Sequence, residues 1–533
     1  MSDPDVSPGT DPVEFDLDGR QVRVDGTGSL LDALREQLGV RSAKDGCSPQ
    51  GQCGCCTVWV DDRPRVACVT PVSRVRGRRV TTVGGLDEAP VWAEAFAACG
   101  ASQCGFCTPG IVMRLAALGT DQRADADAVR RALMAHLCRC TGWQTIVEAA
   151  AVVASGNVPS PVPGGERARV RAAVEGGVRQ ALGPHVALGR GGFADDMAPP
   201  DALVAMRTAD GAWVVAPTLE ETRRAVGKVQ GRRTSAPPTW PLEVATSPDG
   251  GVWERTLRTT WVEPAYLEPD AAWADPDGRA YGPLGNGGAF GGKSDSDAVD
   301  VARRLAAEHG RPVRVLATRE DVVRHGPKRP PVAIGVRADG SGVARVARTP
   351  GIADAIAASA PGLIVEEVDL GGPRTSTALR GAGWAEAAIV LSSLGPGPDD
   401  TVTSPVGARA SARIDPDGSV EVRVSCGADP GDAEEAVVLR SYCIGAAHMA
   451  LGWVRSEAIA VGDDGVPLDL TIRSFGVLRA VDTPRIDVSI DDDQPASFDA
   501  MVAGSDAVFA AVAAAAWRRA GFPPAWPIGT RPG

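Results

Sequence analysis

Four cysteines crowd into the twelve residues "DGCSPQGQCGCC", Asp45 to Cys56, of a chain that has only twelve in all. Ten of the twelve fall before residue 141, in two groups, and only Cys426 and Cys443 follow. A disulfide scaffold would spread its cysteines over the fold, and a reducing compartment favours metal ligation or redox chemistry. The compartment itself is an expectation. The start, MSDPDVSPGT, is acidic with no apolar run behind a basic one, and stretches such as Phe509 to Trp517 are too short to cross a bilayer. A cytoplasmic chain without a membrane span is therefore expected. Its 533 residues allow several domains, and a net charge of -12 argues against nucleic acid as a partner.

Local patterns place the cysteines. Phe15 to Val24 alternates around Gly19 as a hairpin, and Ser29 caps a short helix, Leu30 to Leu38. Thr57–Val60 and Arg65–Val69 read as strands about a "DDRP" turn. From Ala89 the period turns helical, with apolar faces over Ile111–Leu118, Ala124–Leu137 and Gln144–Ala154. The Pro-, Gly- and Ser-rich "SGNVPSPVPGGE" reads as a linker, and "LGPGPDD" marks a second boundary in a mixed α/β remainder.

The first group is Cys47-x5-Cys53-x2-Cys56, then eleven residues and Cys68; the second is Cys104-x2-Cys107, thirty residues, Cys138-x-Cys140. Three thiolates from a tight loop, closed by a fourth from a neighbouring strand, is how a plant-type [2Fe–2S] cluster is held. Gly46, Gly51 and Gly54 let amides approach the sulfurs. Zinc also takes four thiolates, although the asymmetry of the first set and the C-x-C of the second count against it. Cys55, Cys99, Cys426 and Cys443 read as small buried side chains, with Cys55 an alternative to Cys56.

"GCSPQGQCGCCTV", "QCGFCTPGIVM" and "LCRCTGWQTIVEA" resemble the iron–sulfur module of the molybdenum hydroxylases, the xanthine dehydrogenase and aldehyde oxidoreductase family, over residues 13–155. The resemblance implies an α+β multidomain chain. A β-grasp plant-type ferredoxin domain (1–86) and a helical-bundle [2Fe–2S] domain (87–156) lead through a linker (157–188) to an abridged α/β molybdopterin-binding-like region in two parts (189–396, 397–533). It implies one cluster on Cys47, Cys53, Cys56 and Cys68, and another on Cys104, Cys107, Cys138 and Cys140, with Gln103 and Cys140 touching the pterin. This chain departs in having five residues, where the family has four, between its first two cysteines.

"GGAFGGKS", Gly287 to Ser294, satisfies the P-loop pattern, but "DPDGRAYGPLGN" before it is no buried strand. The same run resembles the family's cofactor-side glycine loop, and "TALRGAGWAEA" a later segment. Gly288, Phe290, Gly291 and Arg380 would thus approach the pterin, or simply fold the remnant. The family's catalytic glutamate has no counterpart, since "AMVAGSDAV" carries Ser505 and Asp506 there. A carboxylate must take the proton in hydroxylation, so substrate hydroxylation by this chain alone is not expected.

The resulting expectation is an electron-transfer subunit of a heteromeric molybdenum hydroxylase. A catalytic large subunit would hold the molybdopterin, and an FAD-binding subunit or other acceptor would take the electrons, as this chain has no FAD domain. A self-contained molybdopterin oxidoreductase and a non-catalytic iron–sulfur scaffold or redox sensor are the alternatives. The basic run Arg74 to Arg79 reads as a solvated hairpin face or as a dock for an acidic acceptor.

Overall fold

The computed structural model describes residues 11–159, 164–227, 236–247, 250–283, 288–395, 400–492 and 496–529. Gly287 and Pro396, which carried the start of the glycine loop and the second boundary, lie outside them.

The first sheet is built from β1 (Val13–Leu17), β2 (Arg20–Val24), β3 (Thr57–Val60), β4 (Arg63–Val66) and β5 (Arg79–Thr81), in the order β2-β1-β5-β3-β4. Val13, Phe15 and Leu17 share the buried face. Asp18 and Gly19 turn the first hairpin with φ of 51° and 80°, the positive values a two-residue type I′ turn needs. Ser29 and Asp32 close a capping box on Leu30–Asp32, which continues as a π-helical turn, Ala33–Gln37. The strand expected over Arg65–Val69 ends early. Pro64 sits on edge strand β4, where its missing N–H costs no ladder bond, and Ala67–Val69 tightens into a 3-10 turn that carries Cys68 inward.

The helical module consists of α1 (Ala89–Ala98), α2 (Thr108–Ala116) and α3 (Gln144–Ser155), with Ala126–Ala132 between. The helix expected to reach Leu137 stops there and passes through the 3-10 turn Leu133–Ala135. His136 and Leu137 are thereby released toward the first cysteine loop, and Leu137 N–H donates to Cys53 O at 3.0 Å.

The segment expected as a linker is not one. Residues Glu166–Gly176 form α4, Pro184–Ala187 add a further turn, and Arg171 is wholly buried. Its guanidinium meets Glu175 at 3.1 Å and Glu435 at 2.8 Å. Proline and glycine mark where the chain bends, but a buried arginine is invisible to composition.

Beyond it, Leu203–Arg207, Trp213–Ala216, Ala271–Ala274, Ala280–Tyr281 and Val313–Leu316 make a second sheet, backed by Val301, Ala302, Leu305 and Ala306 of α5 (Ala298–His309). After the short α6 (Arg319–His325), a third sheet uses Arg255–Arg258, Val332–Val336, Gly342–Ala347 and Leu363–Val368. Next come α7 (Trp384–Ser392) and a fourth sheet of Asp400–Thr403, Arg409–Ile414, Val420–Ser425 and Ile486–Ile490. One apolar core takes residues from the third and fourth sheets together with α8 (Ala433–Arg455) and α9 (Gly504–Arg519). The boundary near 396 thus parts sheets but not cores. Two helical stretches, Ala433–Arg455 and Phe498–Arg519, are long and apolar enough to cross a membrane, yet their most apolar windows are 89% and 78% buried inside this core.

Ion pairs join the first module to the second sheet. Arg35 reaches Asp195 at 2.6 Å and Asp196 at 2.9 Å, Arg314 reaches Asp195 and Glu36, and Lys44 reaches Asp196. Burial alone would raise the Asp195 carboxyl, but Arg35 and Arg314 outweigh it and hold it well below the usual carboxylate range.

Candidate metal centres

The loop between Asp45 and Thr57 folds around sulfur. Gln50 and Gln52 N–H groups point at Cys47 Sγ, 3.1 and 3.5 Å away, and Cys68 N–H donates to Cys56 Sγ at 3.4 Å. Cys47 hydrogen-bonds Cys53 and Cys68, and these contacts pull it well below the ordinary thiol range. The extra residue between Cys47 and Cys53 is absorbed by left-handed backbone at Ser48 and Gly51, φ 56° and 72°. Cys55 hydrogen-bonds Cys53, which lowers its thiol, but burial together with the neighbouring Cys47, Cys56 and Cys138 leaves it raised above the ordinary range.

The second set gathers at the start of α2. Cys107 caps that helix, Cys104 Sγ lies 3.6 Å from Cys140 Sγ, and Cys138 hydrogen-bonds Cys107 and Cys140. Those thiol contacts bring Cys138 well below the ordinary range, helped by Thr141, whose Oγ1 is 3.1 Å from the sulfur. Each set therefore has one thiol that its sulfur neighbours hold low, Cys47 in the first and Cys138 in the second. Among the described residues no three His, Cys, Asp or Glu side chains group as ligands of one metal ion. Within each set the thiols touch in a chain, Cys53–Cys47–Cys68–Cys56 and Cys107–Cys138–Cys140–Cys104, which brings four sulfurs together at each place. The donor chemistry and the aimed amides fit [2Fe–2S] clusters at both places.

The two sets sit back to back. A methyl group on Gly110 would lie 2.3 Å from Gly54 O, so only glycine lets α2 press on the first loop. His136 packs over Gly54 and shares a 3.2 Å hydrogen bond with Thr57. Sequence reasoning missed His136 and Arg139. The guanidinium of Arg139 is bidentate to Glu457 at 2.6 and 2.7 Å and is almost fully buried between Cys138 and Cys140. Its place inside the C-x-C was the available signal.

The residues that the resemblance assigned to a pterin come together, but they leave it no room. Gln103 Nε2 donates to Cys140 O and Ser441 Oγ, at 3.0 Å each. Helix α8 lies directly on both, since a methyl on Gly445 would fall 1.8 Å from Cys140 O. Gly288 abuts Arg139 and Cys140 Sγ, and Gly291, at φ +94°, would put a Cβ 1.7 Å from Ala378 O. Phe290 O accepts from Arg380 N–H at 3.0 Å, and the Arg380 guanidinium stacks 3.7 Å above the Phe290 ring. The same guanidinium reaches Ser505 at 2.9 Å and Asp506 at 2.8 Å. The remaining cavity, lined by Arg139, Phe290, Arg329, Arg380, Trp453 and Glu457, measures about 40 Å³, against ~300–1,000 Å³ for a pocket holding an organic cofactor. Gln103, Cys140, Gly288, Phe290, Gly291 and Arg380, the residues that the resemblance assigned to pterin contacts, pack against protein here, Gln103 Oε1 is buried without a hydrogen bond, and the cavity beside Phe290 and Arg380 is too small for molybdopterin.

Gly445→Ala tests this packing. In an exposed helix the change would stabilise by ~1 kcal/mol; here overpacking against Cys140 is expected to cost about 1–3 kcal/mol. Thermal unfolding measures it, and a variant as stable as the parent would contradict the contact.

The P-loop reading also ends here. Lys293 is buried and paired with Glu268 at 2.7 Å, and the next helix starts only at Ala298.

The [2Fe-2S] binding domain family matches residues 82–151. The beta subunit of the 6-hydroxypseudooxynicotine dehydrogenase complex of Paenarthrobacter nicotinovorans is 39% identical over 125 residues, 22% of this chain and 78% of that subunit. Aldehyde oxidoreductase of Megalodesulfovibrio gigas is 40% identical over 147 residues, 26% of this chain but 16% of that enzyme. In three dimensions, the aldehyde oxidoreductase of Desulfovibrio desulfuricans superposes with a TM-score of 0.70 at 14% identity, covering 95% of this chain and 97% of that one. The fold is that of an aldehyde oxidoreductase.

Proposed function

Since the chain belongs to the aldehyde oxidoreductase and xanthine dehydrogenase family, we propose that it is the iron–sulfur electron-transfer subunit of a larger oxidoreductase, with substrate chemistry carried out on another chain. The observation that carries this reading is the pairing of two complete buried thiol sets with a cofactor pocket closed to about 40 Å³. Cys47, Cys53, Cys56 and Cys68 would hold one [2Fe–2S] cluster, and Cys104, Cys107, Cys138 and Cys140 the other. Bound there, each cluster supplies a one-electron redox couple. Gln50 and Gln52 aim N–H dipoles at Cys47 Sγ and so favour the more reduced charge state. The walls around the second set exclude water, and the Leu137–Cys53 hydrogen bond joins the two ligand loops.

A partner large subunit would hold molybdopterin and the substrate, and an FAD-binding subunit or other carrier would exchange electrons, in the cytoplasm. Arg380 donates to both Ser505 and Asp506, the residues at the place of the family's glutamate. This disfavours the self-contained enzyme.

Anaerobic purification with metal analysis tests the reading. The chain alone should carry about four irons, two per cluster, and give two distinct EPR signals when reduced, with no molybdenum. Molybdenum retained by the isolated chain would overturn it, as would zinc in place of iron.

A further inference from the structure

A charged residue stands inside the second thiol set. Arg139 lies between Cys138 and Cys140, so its Cα is one peptide, ~3.8 Å, from the Cα of each. Its side chain and that of Glu457 are only 4% and 1% exposed, which leaves water no part in balancing either charge. The fork meets the carboxylate at 2.6 and 2.7 Å, and Nε donates to Pro264 O at 3.0 Å. Glycines make room for the pair. A Cβ on Gly452 would fall 2.1 Å from Glu457 Oε1, and one on Gly288 would fall 2.5 Å from Arg139 Cβ and 3.5 Å from Cys140 Sγ.

Glu457 comes from the C-terminal half. It follows α8, where its N–H donates to Gly452 O at 2.8 Å, and Ala458 N–H donates to Phe475 O at 3.2 Å. The other acids around the cavity of about 40 Å³ are engaged elsewhere: Glu386 with Arg329 at 2.7 Å, Asp506 with Arg380 at 2.8 Å and Glu263 with Lys328 at 2.9 Å. Without Glu457, the Arg139 guanidinium would keep Pro264 O as its acceptor among the described residues and would carry an uncompensated charge. A buried cation beside a metal centre favours the more negative, reduced state.

We infer that Glu457 is a positioning residue for the second cluster: it fixes the Arg139 fork and cancels its charge, so that a residue of the C-terminal half sets the reduction potential at Cys104–Cys140. Stability alone gives little reason for such a pair, since apolar residues of similar volume serve as well or better. The C-terminal half thereby has a redox task that needs no organic cofactor of its own. Reduction brings one electron and no proton or bond change, as one iron passes from ferric to ferrous. The inference rests on the two-cluster reading above.

The holoprotein is titrated anaerobically with dithionite through mediator dyes, and the two EPR signals are followed against potential. The second cluster's signal is the one that Cys138→Ser erases. Glu457→Gln keeps the side chain's size but leaves Arg139 uncompensated. It is expected to favour reduction of that signal by about tenfold, or ~59 mV for one electron, and to move the other signal by much less. Arg139→Gln combined with Glu457→Gln removes both charges and is expected to return the signal to within about twofold of the parent. A bridge that acts only by its shape would leave the shift in place when both partners are gone. Glu457→Asp draws the carboxylate back by one carbon and should move the same signal in the same direction by less; if Glu457→Gln does not fold, this variant decides, and an unmoved midpoint in it overturns the inference. So would an unmoved midpoint in Glu457→Gln, equal shifts of both signals, or a double variant that keeps the single variant's shift. A parent protein showing fewer than two signals sinks the two-cluster reading itself, a separate failure.

Discussion

Cys138→Ser is expected to halve the iron of the purified protein, from about four to about two per chain, and to erase one of the two EPR signals while sparing the other. The residue is chosen for its position: Cys138 hydrogen-bonds Cys107 and Cys140 and is the thiol of its set that these neighbours hold low. A serine hydroxyl keeps the volume but is a poor ligand for iron beside three thiolates. The change should reach further than one cofactor, because free energy released by metal binding to a preformed site is folding free energy. The helical module should therefore melt earlier in the variant. Cys99→Ser is the control, because Cys99 belongs to neither thiol set and is only partly buried; its iron content and melting temperature should match the parent. A Cys138→Ser protein that retains four irons would remove the second set from consideration.

Arg171→Ala should produce the largest loss of stability of any single change away from the thiols, on the order of 3–5 kcal/mol. The guanidinium, fully buried on α4, donates to Glu435 Oε1, Glu175 Oε1, Val502 O, Cys426 O and Gly427 O. Alanine would strip a donor from each of two buried carboxylates and from Val502 O, while Cys426 O and Gly427 O would keep only Val502 N–H and Arg167. Glu175 matters doubly, since its carboxylate accepts from the N–H groups of Gly504 and Ser505 at 2.9 Å each and so anchors the start of α9. Arg171→Lys should recover only part of the loss, as a single ammonium cannot reach five acceptors laid out for a planar fork. Urea titration followed by circular dichroism measures both. A loss below about 1 kcal/mol in Arg171→Ala, the scale of an exposed ion pair, would contradict this account.

Much of residues 11–156 was legible because its determinants are local. Cysteine spacing, the Asp18–Gly19 turn and the Ser29–Asp32 cap are each fixed within a few residues of chain. What the sequence hid is set by distant partners. Nothing near Glu166 announces that Arg167 and Arg171 meet Glu435, so a Pro- and Gly-rich approach to α4 reads as a linker. Likewise "GGAFGGK" and "LRGAG" carry a cofactor-binding signature, yet whether space remains between them depends on Gly291 touching Ala378 and on Arg380 finding Ser505 and Asp506.

Helix α8 packs against Cys140 and Gln103, leaving only a cavity of about 30 Å³ beside Gln103, and it is drawn from residues 433–455, some three hundred positions downstream of the thiols it covers. Cofactor insertion therefore has a deadline. Cys140 leaves the ribosome long before Ala433 is made, and in that interval the second thiol set stands open to whatever delivers iron and sulfide. Once α8 has docked, loading that set requires the C-terminal half to lift away, so a chain completed without its iron would be trapped empty.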